Sequence, residues 1–203
     1  MPNWCGNTLT LSHDDPEMIV RATKAFEEGR LLEEFIPVPA GLKGTASPNR
    51  DGTAEELRAK YGYADWYDFC VNEWGTKWDV GDSQGIQDVD KLDLIVYFDS
   101  AWAPPIAAYE KLEDLGFRVY ATYYEPGCAF AGIYDECGDN CYNLSEMSSD
   151  EVRDELPSEL DDAFGISESM AEFEAENEDE VTTWYKEGVE ATGLEPHVKK
   201  VDQ

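Results

Sequence analysis

The acidic residues of this chain are distributed so unevenly that they divide it into a part that can form a core and a part that can barely do so. Across 203 residues, 45 Asp and Glu stand against 15 Lys and Arg, a formal net charge of −30. Residues 1–100 carry 19 acids and 9 bases, and residues 101–145 carry 7 and 2. The last 58 residues carry 19 and 4, half of the whole excess. Self-repulsion of this size opposes collapse unless apolar periodicity overrides it. That periodicity is strong up to about residue 145 and sparse afterwards. The expected organisation is an α+β domain over 1–145 and an acidic, mostly helical extension over 146–203.

Within the first part the pattern alternates between strand and helix. Asn7–Ser12 places Leu9 and Leu11 on one face, the mark of a half-buried strand. Asp14, Asp15 and Pro16 suit a helix start, Met18, Ile19, Ala22, Ala25 and Phe26 recur at helical spacing, and Gly29 stops the run. Leu32–Leu42 reads as extended because of Pro37 and Pro39, and residues 43–53 read as a loop. Residues 55–74 read as one helix, and together these segments make a long insertion over about 32–90. Leu92, Leu94, Val96 and Phe98 then share a strand face. Pro104-Pro105 opens a helix ended by Gly116, and Phe117–Tyr124 alternates again. Glu125-Pro126-Gly127 has the composition of a type II turn, with Gly127 at the φ > 0 position. Cys128–Tyr134 is the return strand, and Asp139-Asn140 marks a further turn. The plan is a β-α-β-β-α-β sandwich with a long insertion, helices covering one sheet face. In the extension, Ser148 with Glu151 fits a capping box, and Pro157 divides two short helices.

Four blocks occur together in order: Met1–Asn7 (MPNWCGN), Asn72–Asp79 (NEWGTKWD), Phe98–Pro105 (FDSAWAPP) and Tyr123–Gly132 (YYEPGCAFAG). They resemble the YubB-like ferredoxin-fold family of bacteriophages and plasmids. The resemblance implies a ferredoxin-like fold and a viral or mobile-element origin. It implies no reaction, so no catalytic residue comes with it.

Charge excludes some functions and favours others. A Lys/Arg footprint for direct nucleic-acid binding is missing, whereas a basic protein partner is favoured. Aromatics on the expected sheet (Tyr120, Tyr124, Phe130, Tyr134) suggest a base-stacking platform, but Arg118 is the only base in residues 112–152. Carboxylates spaced along helices can imitate duplex phosphates, which points to a non-enzymatic inhibitor of a host DNA-processing or defence factor. The residues expected to meet that partner are Asp154, Glu155, Asp161, Asp162, Glu174, Glu176, Glu178, Asp179 and Glu180. The alternative is a small-molecule or metal-binding module, its acidity reflecting solubility or salt adaptation. Its pocket would use Trp74, Trp78 and Trp102, with Lys77 lying on a ring. Its metal would be zinc at Cys137 and Cys141, near Asp135 and Glu136, with further ligands arriving from elsewhere such as Cys5 or Cys128. No phosphate-binding Gly-rich loop occurs. His13 and His197, the two histidines, lack a partnering motif. No 18-residue apolar stretch or leader-like N-terminus is visible, and five cysteines read as reduced thiols, so a cytoplasmic protein is expected.

Overall fold

The computed structural model describes residues 2–81 and 85–177. The chain divides into two compact units, Met1–Ser145 and Glu146–Gln203. The first is α+β. Its elements are β1 (Trp4–Ser12), α1 (Pro16–Glu27), α2 (Leu31–Phe35), α3 (Ala54–Tyr61), α4 (Trp66–Glu73), β2 (Ile86–Val89), β3 (Asp93–Ala101), α5 (Ile106–Asp114), β4 (Arg118–Glu125), β5 (Phe130–Asp135) and β6 (Gly138–Asn143). The six strands form one antiparallel sheet in the order β2-β3-β1-β4-β5-β6.

Alternation along β1 puts Cys5, Asn7, Leu9 and Leu11 on the buried face. In register beside them stand Leu94, Val96, Phe98 and Ser100 of β3 and Val119, Ala121 and Tyr123 of β4. The stripes of α1 (Ile19, Ala22, Ala25, Phe26) and α5 (Ala108, Tyr109, Leu112) complete this core. Burying each Leu, Ile or Phe here stabilises the unit by roughly 1.5–3 kcal/mol. Helix α1 starts as its sequence dictates: Asp15 accepts the Glu17 amide at 2.9 Å, Pro16 opens the first turn, and Gly29 follows at φ +69°.

Five expectations need correction. Residues 31–35 are helical, because the Asp79 carboxylate accepts the amides of Leu32 (2.7 Å) and Glu33 (2.8 Å) and caps α2 from 46 and 47 residues away. Residues 55–74 form two helices, broken at Gly62 (φ +88°), with Asp65 capping α4. Residues 86–89, expected to lie in the insertion, form a strand, β2, that pairs with β3 at the sheet edge; only Ile86 among them is even half-buried, so the strand shows no apolar alternation. Gly127 does not adopt positive φ; Ala129 does, at +53°, while the buried Glu125 carboxylate accepts the amides of Gly127 and Cys128. Asp139 and Asn140 lie inside β6, and the hairpin turns at Glu136 and Cys137 instead.

The second unit contains α6 (Ser149–Glu155), α7 (Ser158–Phe164) and a helical run over 166–177. The Ser148–Glu151 capping box is present, and Leu156-Pro157 separates α6 from α7. Val152, Leu160 and Ile166 are fully buried, and Leu156 nearly so.

Candidate functional site

The loop leaving α4, the start of β1 and the loop leaving β3 meet around one lysine. The Lys77 ammonium lies 4.4 Å from the Trp78 ring centroid, 5.3 Å from Trp102 and 5.9 Å from Tyr67. Three aromatic faces around one cation make a cation–π cage. Trp4 braces it from the side, its ring 5.9 Å from Trp78. The frame is fixed by buried Thr76, whose hydroxyl bonds both the amide and the carbonyl of Ala101 at 3.1 Å. Trp102 is held at φ +70°, an unusual backbone state for a bulky side chain, and its amide donates to Asn3 O at 2.9 Å. Such strain persists only where surrounding contacts over-determine it.

Of the tryptophans expected to line a pocket, Trp78 and Trp102 do meet at Lys77 and stay 40% and 42% exposed. Trp74 does not. It is buried in the core, with its indole N–H donating to Ile36 O at 2.9 Å. Sequence reasoning missed Trp4 and Tyr67. Trp4 was legible in principle: it occupies the outward-facing position of β1 paired with Ala101, next to Trp102. Tyr67 sits in the first turn of α4 and carried no signal of its own.

Beside the cage opens a cleft of about 280 Å³ lined by Trp4, Trp78, Asp79, Val80, Gly81, Asp99, Ser100 and Ala101. Burial raises the Asp79 carboxyl above its ordinary value, against the three backbone amides (Leu32, Glu33, Val80) that hold it.

The acidic residues of the second unit fall into two groups. Asp161 accepts the amide (2.7 Å) and hydroxyl (2.6 Å) of Ser167, at the start of the run over 166–177. Glu174 does the same for Ser149 at 2.9 and 2.6 Å, and these bonds lower its pKa. Both acids were expected to face a partner, yet both are committed to the unit's own helix starts. Asp154, Glu155, Asp162 and Glu176 are exposed, and their carboxylates make no hydrogen bond or ion pair among the described residues. Glu178, Asp179 and Glu180 lie outside the described residues.

The remaining expected chemistry is dispersed. Cys137 sits in the hairpin turn and Cys141 within β6. Three residues of largely extended chain lie between them, four steps that separate their backbones by roughly 10–13 Å. Among the described residues no group of three or more His, Cys, Asp or Glu gathers where a metal would sit. Burial pushes the Cys5 and Cys70 thiols up to about 12, and the hydrogen bond and charge of Glu125 raise Cys128. None of these three is a ready thiolate. His13 packs on Phe117 with ring centroids 4.9 Å apart, and its Nδ1 accepts the Asp15 amide, so it serves the β1–α1 turn. The suggested stacking platform divides: Tyr120 and Tyr124 point to one face of β4, whereas Tyr134 and Phe130 pair with Ala121 and Glu125 on the other. Tyr134 donates to Glu113 at 2.8 Å beneath α5.

No protein-family model and no curated protein matches this sequence. Among solved structures the chain is similar to the crystal structure of a protein api92 from Yersinia pseudotuberculosis, described by the family model DUF1281. The match has 12% identity and covers 70% of this chain and 99% of that one. Its TM-score is 0.38, a superposition too loose to carry an argument about fold or function.

Proposed function

We propose that this chain is a non-enzymatic accessory protein of a virus or mobile element that binds a basic, nucleic-acid-binding host protein in the cytoplasm. The acidic helices of its second unit stand in for nucleic-acid phosphates. One observation carries the reading. Residues 146–177 hold 12 acids and a single base, Arg153, and Asp154, Glu155, Asp162 and Glu176 are exposed without internal partners among the described residues. Carboxylates left unpaired on helices raise a negative potential that steers a basic surface towards them. The viral origin rests on the YubB-like blocks. Their ferredoxin-like implication is supported by the order β2-β3-β1-β4, with α1 and α5 among the crossovers and β5-β6 as an added hairpin.

The test separates exposed acids from those the unit needs. Asp154, Glu155, Asp162 and Glu176 are changed together to Asn or Gln, leaving Asp161 and Glu174 intact. Wild type is expected to retain one basic protein from host lysate at low salt, to lose it at ~0.5 M salt where the Debye length is a few ångströms, and to release it to added DNA. The quadruple variant, still helical by circular dichroism, is expected to retain none. Equal capture by the folded variant would sink the proposal.

A further inference from the structure

The cleft beside Trp4 and Trp78 combines three properties that the cage around Lys77 does not by itself explain. Its indole walls are open, with Trp4 48% and Trp78 40% exposed, whereas tryptophan of a monomeric protein is usually well covered. Its lining also carries two acids, Asp79 and Asp99. Its frame cannot easily be remodelled: a Cβ on Gly81 would meet Gly29 Cα at 2.3 Å, and Asp79 is tied to three backbone amides.

We propose that this cleft binds the guanidinium of an arginine side chain presented by a protein partner. A flat, weakly hydrated cation stacks on indole and is drawn to carboxylates, and arginine does both with one group. The attraction of the Trp78 ring for a cation is already visible in Lys77, whose ammonium sits 4.4 Å from its centroid. The volume, about 280 Å³, falls below that of sites for nucleotides or drug-sized ligands and suits one side chain. Charge agrees as well, since the chain is −30 overall. The site lies within residues 1–145, so it goes beyond the reading of the acidic helices and does not depend on it.

The test uses the full chain and no partner. The indole N–H signals of 15N-labelled protein are followed while N-acetylarginine amide is added, with N-acetylcitrulline amide as the neutral isostere in a parallel series. Arginine is expected to give saturable shifts at Trp4 and Trp78, and citrulline none. Asp99→Asn, which preserves shape and removes one charge, should weaken binding by roughly threefold, the effect of one unit charge at about 6 Å in water. Lys77→Gln removes the competing internal cation and should strengthen it. Equal shifts from arginine and citrulline would mean an uncharged occupant and overturn the proposal. So would the absence of any saturable shift, or loss of binding in Lys77→Gln. None of these outcomes touches the acidic helices, whose test is separate.

Discussion

Trp102 and Gly132 show how far single residues here depart from local preference. At φ +70° a Cβ is strained, so the usual ranking of alanine over glycine should reverse at position 102. Trp102→Gly is expected to be more stable than Trp102→Ala by about 1 kcal/mol. Urea midpoints of the two variants decide it, and an alanine variant equal to or above the glycine one would contradict the strained geometry. Gly132 is constrained by space rather than by φ. It pairs with Tyr123, whose ring crosses it so closely that a Cβ would stand 2.2 Å from the Tyr123 hydroxyl and 2.7 Å from Asn140 O. The Tyr123 hydroxyl in turn donates to Asp139 at 2.6 Å. Gly132→Ala should cost roughly 1–3 kcal/mol by overpacking. Adding Tyr123→Leu should recover part of that loss, giving a double-mutant cycle with clear coupling. Strict additivity would show that the two residues do not compete for the same space.

Helix starts govern the behaviour of the second unit. Glu174 is held below its usual value of 4.5, first by the Ser149 hydroxyl and then by the Ser149 amide. A carboxyl with a lowered folded pKa contributes stability that is present above the unfolded value and lost as pH falls through the folded one. Glu174→Gln should therefore lower the thermal midpoint of the helical signal at pH 7, and the gap to wild type should close as pH drops below about 4.5. Glu176→Gln makes the same charge change without those bonds, so it should open no such gap; matching curves for the two variants would refute the capping role. This is also where legibility from sequence differs between elements. β1, α1, β3, α5 and β4 were readable because each buries one face and so carries a period of two or 3.6. The Ser148–Glu151 box was readable because both partners are three residues apart. α2 and β2 were not. The cap of α2 comes from Asp79, and β2 is an edge strand held mainly by pairing with β3, so neither left a local pattern. The site divides along the same line. Lys77, Trp78, Trp102 and Trp4 all lie in the four blocks, but Trp4 is brought to the other three only through the β1–β3 register, and Asp161 and Glu174 reveal their structural work only through bonds to serines 6 and 25 residues away.

At the scale of the whole molecule, a charge of −30 means that salt should stabilise the chain before it does anything else. Screening shortens the Debye length from about 30 Å at 0.01 M to a few ångströms near 0.5 M and relieves self-repulsion. A gain of about 1–2 kcal/mol would raise the melting midpoint by roughly 2–8 °C for a chain of this size. Differential scanning calorimetry across that range tests it. A flat or falling midpoint would show that the acids are already neutralised within the fold, and it would weaken the case for a basic partner. The sheet carries a related consequence in the two strands that bound it. β2 is four residues long, irregular between Ile86 and Asp88, and followed by Asp90; β6 is built of Gly, Asp, Asn, Cys and Tyr. Short, bulged or Asn/Asp-rich margins are poor templates for a seventh strand. Crowded copies of this protein should therefore slide past one another rather than zip together, and both ends of its sheet are protected from fibre growth.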